Sequence, residues 1–421
     1  MKTNVNRWVR LVASVIAMMM IANLQYSWTL FVKPIMGATG WKLSQVQLGF
    51  TLFIAFETWA MPLSGWLMDK FGPRVFMSIS AVLCGLGWAA MGHATTLTQL
   101  YTLYSIAGLG AAMIYCGSTT VGLKWFPDKL GLASGLIAAG FGSGAALFVY
   151  AIANVIRVES YRAAFLYTGI AQGLIIFCVA QLLINPDPND PQIAGLKKVS
   201  RFKLRSHAEQ FTSMEMLRTP QFYVLYTMML MMGIGGLMAT AQVASVADSL
   251  GITKAALTLA VFVNPLANGS GRIFWGWVSD HVGREPTMIV AFLIQAFALV
   301  GVLYFGNHSP LGFIVLLAIV FFTWGEIYSL FPAVSADFFG GRNASSNYSF
   351  LYSSKGVSAI LAGWLAARFF EKTGSWTFVF YGSAGLAFLA ALMAVGLISM
   401  PLPSKEHPIS AVETAVKTLE P

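Results

Sequence analysis

Residues 65–74 read GWLMDKFGPR and residues 276–284 read GWVSDHVGR, so one loop pattern occurs twice in this chain of 421 residues. Each copy has the form Gly-x-x-x-Asp-basic-x-Gly with an arginine close behind, and Asp69 and Asp280 lie 211 positions apart. A second, weaker similarity pairs WFPDK at 125–129 with FFGGR at 338–342. A repeat spaced by half the chain predicts two related halves.

The composition is that of a membrane protein, because 57% of the residues are hydrophobic and only 10% are charged. A soluble domain carries about 25% charged residues. Most of the outer surface is therefore expected to face lipid. One spanning helix takes about 20 apolar residues, so the chain has room for twelve spans and their loops.

Apolar segments fall into two groups of six, separated by a break rich in proline and lysine. The predicted spans are 8–32, 46–68, 75–93, 98–122, 131–154, 162–184, 220–247, 255–279, 285–305, 311–335, 345–369 and 375–400. This division predicts a six-helix bundle over 1–184, a linker over 185–219, a second bundle over 220–400 and a tail over 401–421.

The distribution of basic residues predicts the orientation. With both termini in the cytoplasm, and with basic residues at span ends counted in the adjoining loops, 17 of the 26 Lys and Arg residues lie in cytoplasmic segments, 7 lie in external loops and 2 lie deep within spans. The linker contributes six of the 17, and the bias persists without it. The net charge of +9 is thus explained by membrane orientation, and no nucleic-acid partner is expected.

The repeated loop lies after the second and the eighth predicted span, on the cytoplasmic side. A carboxylate there can cap a helix or pair with a basic residue across the interface between bundles, which would hold one conformation closed. The simpler alternative is a tight, positively charged turn, but its occurrence in both halves favours a gating role. The candidate gating residues are Asp69, Lys70, Arg74, Asp280 and Arg284.

The motif pair, the twelve spans and the central break resemble the major facilitator superfamily over essentially the whole chain. The resemblance implies an all-α polytopic membrane protein with 12 transmembrane helices in two six-helix bundles. A substrate site near the middle of the membrane, between the two repeats, is the arrangement expected of such transporters.

Four ionisable residues lie deep within predicted spans: Glu57, Arg272, Glu326 and Lys355. An ionisable group at the centre of a bilayer costs about 2.5–3.5 kcal/mol or more, so each is a candidate functional residue. The alternative is structural, with Arg272 paired to Glu326, or Lys355 to Glu57, simply holding helices together.

Helical spacing indicates which side chains share a face with the two cations, since positions three, four and seven apart lie together. The eighth and eleventh spans each carry a stripe that ends in a cation, whereas Glu326 lies about 200° from Trp324 around the tenth helix. The stripes are Asn264, Asn268 and Arg272, and Tyr348, Tyr352 and Lys355; Trp324 pairs with Tyr328. Two cations walled by aromatic rings suit a small dicarboxylate, with one cation for each end.

Several shorter motifs resemble the bacterial oxalate/formate antiporter family: QYSWTL at 25–30, WFPDK at 125–129, GLASG at 131–135, FFTWG at 321–325 and Lys355. The resemblance implies that Arg272 and Lys355 bind the substrate dianion. Tyr26, Trp324, Tyr328 and Tyr352 would then form the aromatic walls. Glu57, Glu326 and Tyr352 depart from the family pattern, and the glutamates change the charge balance of the core.

Two functions follow from this constellation. If Arg272 and Lys355 are unpaired, an empty site resists closing, and the protein exchanges oxalate entering for formate leaving. If Glu57 or Glu326 reaches the cations, the alternative is a proton-coupled symporter for a monocarboxylate such as lactate or formate. A sensor without transport activity on the same fold would not need both cations within spans.

No enzyme, cofactor or metal site is expected. Cys84, Cys116 and Cys178 lie in apolar runs without ligand spacing, the five histidines are scattered, and no nucleophile–base pair or phosphate-binding loop is present. We therefore predict a monomeric carrier of small carboxylate anions, embedded in the lipid bilayer of the bacterial cytoplasmic (inner) membrane.

Overall fold

The structure is a computed structural model, and it is helical throughout the part of the chain that it describes, without β-strands there. The described residues are 5–126, 128–187, 190–192, 209–306, 309–340 and 343–405. Most of the predicted linker and tail, and the side chain of Asp69, lie outside them.

The helices of the first half precede the linker. They are α1 (Arg7–Tyr26), α2 (Trp28–Thr39), α3 (Leu43–Trp59), α4 (Met61–Phe71), α5 (Pro73–Ala90), α6 (Leu97–Trp125), α7 (Leu130–Ser143), α8 (Ala146–Val158) and α9 (Tyr161–Ala180).

The helices of the second half begin with a short one within the predicted linker. They are α10 (Ser213–Met216), α11 (Pro220–Ser249), α12 (Lys254–Val282), α13 (Arg284–Gly306), α14 (Pro310–Trp324), α15 (Ile327–Phe339), α16 (Ala344–Tyr352), α17 (Ser354–Ala359), α18 (Ala366–Thr373) and α19 (Thr377–Ser399). A π-helical turn, Ile360–Leu365, joins α17 to α18.

Capping residues fix several helix starts. Thr219 accepts a hydrogen bond from the amide of Phe222, and Pro220 occupies the first helical position of α11. Ser309 and Pro310 do the same for α14. Proline is well suited to this place because the first helical amides have no partner within the helix.

The last glycine of the repeated motif ends a helix in each half. Gly72 follows α4 with φ of 73° and Gly283 follows α12 with φ of 108°, a backbone conformation that side chains disfavour. The first glycine of the motif, Gly65, has no neighbour close to where a Cβ would stand. The last glycine of each copy therefore shapes a turn, and Gly65 is not at a close contact between helices.

Five of the predicted spans consist of two or more helices. The breaks fall between α1 and α2, α3 and α4, α7 and α8, and α14 and α15, and within the α16–α18 segment. Discontinuous helices near the middle of a membrane protein are typical of substrate sites, because they release backbone groups and reorient side chains.

Nine helices in the described residues are long and apolar enough to cross a membrane. The remaining predicted spans are the second, eighth and eleventh, which contain α3–α4, α12 and α16–α18. These three spans carry Glu57, Arg272 and Lys355, so the segments with the weakest membrane signal hold three of the four ionisable residues that lie deep within predicted spans.

Equivalent helices pack in the same way in the two halves. In the first half α5 packs against α6 and α9, and in the second half α13 packs against α14 and α19. The halves meet where α7 crosses α12: a Cβ on Gly142 would lie 2.8 Å from the Cα of Gly269. Small residues at that crossing let the two backbones approach closely.

One end of the interface between the halves is joined by several hydrogen bonds. We call it the outer end, following the predicted orientation. Thr51 of α3 donates to the carbonyl of Ala359 (3.0 Å) and accepts from the amide of Trp364 (3.1 Å), so it bridges the π-helical turn. Nearby, the amide and hydroxyl of Ser44 donate to the Glu371 carboxylate at 2.7 and 2.8 Å. The outer end is therefore closed.

At the inner end, the start of α1 is tied to the loop between α6 and α7. The Arg7 guanidinium donates to both carboxylate oxygens of Asp128, at 2.6 and 3.0 Å, and lies 4.7 Å from the ring centroid of Phe126. The hydrogen bonds from Arg7 hold the pKa of Asp128 below its ordinary value of 3.8.

We expect Asp128→Asn to lower the free energy of unfolding at pH 7 by about 1 kcal/mol, the scale of a partly exposed ion pair. Because the Asp128 pKa is lowered by folding, this stabilisation is complete above the ordinary pKa and disappears as pH falls through the lowered one. Thermal unfolding of detergent-solubilised protein at pH 7 and near pH 3 measures both effects.

The matched control is Asp248→Asn, since Asp248 pairs with Lys33 but is 70% exposed. We expect almost no change at either pH. A pH-independent loss in Asp128→Asn would contradict an electrostatic origin.

Candidate functional site

The polar stripe of α12 points into the interface between the halves, as its spacing predicts. Asn264, Asn268 and Arg272 are all buried. Asn268 Oδ1 accepts from Arg272 Nε and from the hydroxyl of Tyr26, both at 3.1 Å, and its Nδ2 donates to the carbonyl of Phe321. The amide thus orients the guanidinium and links it to α1.

Arg272 contacts both halves of the molecule. Its Nη1 donates to the carbonyl of Ala138 on α7 at 3.0 Å, and its Nη2 lies 3.4 Å from the hydroxyl of Tyr26. The side chain is only 2% exposed. Of its five N–H donors these contacts use three, and the guanidinium also interacts with the hydroxyl of Tyr115, so at least one donor remains for a further acceptor.

Lys355 lies on α17 and is bonded to the first half of the chain. Its ammonium donates to Glu57 Oε2 and Gln25 Oε1, each at 2.9 Å, and to the hydroxyl of Tyr352 at 3.2 Å. The Lys355 and Glu57 side chains are each 1% exposed. Lys355 is therefore paired, and the expectation of two unpaired cations does not describe this conformation.

Two aromatic rings lie beside both cations. The Tyr328 ring centroid is 4.3 Å from Arg272 Cζ and 5.8 Å from Lys355 Nζ, and the Phe141 centroid is 5.5 Å from each. Cations favour the faces of aromatic rings, and rings that exclude water strengthen polar contacts in the enclosed space.

The predicted aromatic residues form a continuous wall around the cations. The ring centroids of Tyr26 and Trp324 are 6.1 Å apart, those of Trp324 and Tyr328 are 5.5 Å apart, and those of Tyr328 and Tyr352 are 6.1 Å apart. The structure thus brings together all six predicted substrate-binding residues.

Several hydrogen-bond donors in this region have no partner among the described residues. They are Trp324 Nε1, the hydroxyls of Tyr328 and Tyr348, and Gln25 Nε2, all buried. Unsatisfied buried donors are rare and costly. Donors without acceptors beside two cations fit an anion rich in oxygen, such as a carboxylate.

The two glutamates lie in different environments. Glu57 contacts Lys355, whereas Glu326 is fully buried at the break between α14 and α15, and its carboxylate oxygens have no hydrogen-bond partner in the described chain. The helical phase that separated Glu326 from the Trp324 face agrees with this placement. Of the two, Glu57 is the one joined to a cation.

Three further residues contribute to this region, and the sequence alone does not assign them to it. Phe141 of α7 lies in an apolar helix, where a phenylalanine carries no sign of which face it occupies. Gln25, a polar residue in the otherwise apolar first span, bonds to Lys355. The Tyr115 ring centroid lies 5.7 Å from that of Tyr352. Tyr150 packs against Phe262 and is exposed.

The described contacts of the gating candidates lie within each half. Arg74 Nε donates to the carbonyl of Gln181 at 3.1 Å, and Lys70 Nζ lies 5.7 Å from the ring centroid of Phe71. In the second half, Arg284 pairs with Asp280 at 2.6 Å and with Asp337 at 3.2 Å.

A helical fold built from two similar halves, with buried cations where the halves meet, is typical of secondary transporters. The chain belongs to the Major Facilitator Superfamily, whose sequence pattern matches residues 12–243 and 223–420. The family and the all-α polytopic fold predicted from the sequence are thereby confirmed.

Similar proteins include carriers of small carboxylates. The chain is 38% identical to the oxalate:formate antiporter of Oxalobacter formigenes, over 93% of this chain and 92% of that protein. It is 24% identical to apicoplast pyruvate carrier 1 of Toxoplasma gondii, over 88% and 76% of the two chains. It is 23% identical to monocarboxylate transporter 12 of Xenopus laevis, over 83% and 79%.

Gly236 of α11 allows Trp324 to occupy the wall, because a Cβ at position 236 would overlap the indole ring. We expect Gly236→Ala to displace Trp324 and to weaken substrate affinity by about tenfold or more, since shifts of about 1 Å in a site have effects of this size. Equilibrium binding of the transported anion to the purified variant measures the loss.

Gly385→Ala is the matched control, since nothing lies within 4 Å of a Cβ at that position of α19. It should bind like the wild type. Unaltered binding by Gly236→Ala would remove Trp324 from the site.

Proposed function

We propose that this protein is a secondary transporter that exchanges small carboxylates, oxalate entering for formate leaving, by alternating access. The observation that carries the proposal is the pair of buried cations, Arg272 and Lys355, on neighbouring helices of the second half and bonded to the first half. The similarity to an oxalate:formate antiporter supports the choice of substrates.

The chemistry of the site supports a small anion. Arg272 keeps at least one N–H donor for a carboxylate, and hydrogen bonds between charged groups are the strong ones. The indole of Trp324 and the hydroxyls of Tyr328 and Tyr348 supply further donors. The surrounding aromatic rings favour a small solute that gives up its water.

Alternating access requires that the contacts between the halves break and re-form. The outer end is closed by Thr51 and Ser44, so an outward-open state must release their bonds to the segment from Ala359 to Glu371. In the closed state, Arg272 and Lys355 bind groups of the first half. An anion that binds Arg272 and Lys355 together with groups of the first half would stabilise the closed intermediate, through which the protein passes between its two open states.

The topology belongs to the proposal as well. The bias of basic residues supports a multi-pass protein of the bacterial cytoplasmic membrane with both termini inside. Within the proposal the protein acts as a monomer. The bundles would comprise 1–184 and 220–400, joined by a cytoplasmic linker over 185–219 and followed by a tail over 401–421. The repeated loops would gate the cytoplasmic side through Asp69, Lys70, Arg74, Asp280 and Arg284.

Counterflow in proteoliposomes loaded with unlabelled oxalate tests the exchange. We expect labelled oxalate to accumulate, and formate to compete with it. Arg272→Gln and Lys355→Gln should each reduce the initial rate by at least about thirtyfold, because losing one partner of a buried charged contact costs about 2 kcal/mol or more.

Arg157→Gln serves as the matched control, since Arg157 is exposed at the end of α8, bonded to Asn154. It should transport at the wild-type rate. An unchanged rate in Arg272→Gln or Lys355→Gln would remove that residue from the site, and no carboxylate counterflow in the wild type would contradict the proposed function.

The alternative function is proton-coupled symport of a monocarboxylate such as lactate or formate. One observation favours it: Glu57 neutralises Lys355, so an empty carrier is not held open by two unpaired cations. The geometry supports Glu57 as the coupling residue, because Glu326 has no contact with either cation in the described chain.

An inward proton gradient across vesicles without internal anion separates the two functions. Under symport, labelled formate or lactate should accumulate in wild type and in Glu326→Gln, but not in Glu57→Gln. Under obligatory exchange, no variant should accumulate the anion. Loss of accumulation in Glu326→Gln alone would assign the proton to Glu326.

A further inference from the structure

The two cations of the site differ in what they can still bind. The three donors of the Lys355 ammonium are all used, by Glu57, Gln25 and Tyr352. Arg272 uses three of its five N–H groups in bonds to Asn268, Ala138 and Tyr26 and also interacts with Tyr115, so it retains at least one N–H group for a substrate. A substrate carboxylate can therefore bind Arg272 directly, but it can reach Lys355 only by displacing one of its present partners.

We propose that Glu57 is a built-in counter-anion for Lys355, which restricts the site to substrates that bring one net negative charge. A monocarboxylate meets this condition by itself, and a dicarboxylate meets it when it arrives with one proton that binds Glu57. This inference rests on the proposed function, since it takes carboxylates as the substrates.

The charges of the three contacting groups lead to this rule. Arg272 and Lys355 contribute two positive charges and Glu57 one negative charge, so the empty site carries one positive charge. A monocarboxylate on Arg272 makes the total zero. A dicarboxylate that takes both cations makes it minus one, because Glu57 loses its partner inside the protein.

A carboxylate without a partner in a buried site is strongly unfavourable, and a proton removes the problem. The proton comes from water on the side where the dicarboxylate binds, so a dianion and one proton enter together. Glu57 can bind this proton on Oε1, since that oxygen has no hydrogen-bond partner among the described residues.

Glu57 lies among side chains that are not carboxylates. The titratable side chains that interact with it electrostatically include Lys355, Tyr26, Tyr104, Tyr115, Tyr328 and Tyr352. Tyrosines supply neutral hydroxyls at ordinary pH, so Glu57 is the carboxylate of this set that can bind a proton when a substrate takes Lys355 from it.

The rule predicts the net charge that crosses the membrane in each exchange. Oxalate with its proton brings one negative charge to the site, and so does formate. Exchange of one for the other therefore moves no net charge. Without the proton, the same exchange would carry one extra negative charge inward.

Equilibrium binding of labelled oxalate to the purified protein, with formate measured by competition, tests the proposal between about pH 6 and 8. One proton bound with each oxalate predicts that oxalate affinity rises about tenfold for each unit by which pH falls. Formate affinity should not change. In Glu57→Gln, oxalate affinity should be independent of pH.

The same variant should change selectivity. With Glu57→Gln the empty site carries two positive charges, which favours a dianion over a monoanion. We expect the ratio of oxalate affinity to formate affinity at pH 8 to rise by about tenfold or more, the scale of coupling between close buried charges.

Two variants separate charge from shape. Glu57→Asp keeps the carboxylate and should retain the pH dependence. Glu326→Gln removes a buried carboxyl that contacts neither cation and should behave as wild type.

If the oxalate affinity of the wild type does not change with pH, the inference is overturned, even if Glu57→Gln fails to fold. Carboxylate counterflow in that case would leave the proposed function standing, whereas no binding of either anion would contradict both.

Discussion

The ion pair between Glu57 of α3 and Lys355 of α17 is the interaction on which the rest of the site depends. Each ion alone would be costly at this depth, but together they form a contact 2.9 Å long that joins the two halves. Gln25 and Tyr352 complete the shell of the ammonium. The pair holds Lys355 in place and, with Gln25 and Tyr352, uses all of its donors. Arg272 is therefore the cation that can still donate to a substrate.

Closure of the molecule and occupation of the site involve the same helices. Lys355 lies five residues before the π-helical turn, which Thr51 of α3 bridges at the outer end, and Glu57 lies further along α3. A substrate that displaces Glu57 therefore acts on the two helices that close the outer end. Arg272 adds a second link between halves, through Ala138 and Tyr26.

Much of this could be predicted from the sequence, because membrane helices and repeats have strong local signals. The loop motif at half-chain spacing gave the two halves, and helical periodicity placed Arg272 with Asn268 and Lys355 with Tyr352. The pair of Lys355 and Glu57 was one of two pairings that the sequence left open, and the structure shows this one, whereas Glu326 is not bonded to Arg272 in the described chain. The sequence could not decide between them, since Glu57 lies 298 positions from Lys355 and no local pattern links them. Phe141 was missed for a related reason: a phenylalanine in an apolar helix carries no sign of which face it occupies.

The proton uptake that accompanies binding tests the central claim, that Glu57 sets the charge of the substrate. Titration calorimetry at pH 7, in two buffers that differ in ionisation enthalpy, gives the number of protons bound with each anion. The account predicts about one proton taken up per oxalate and none per formate. No proton uptake with oxalate, at full binding, would contradict it.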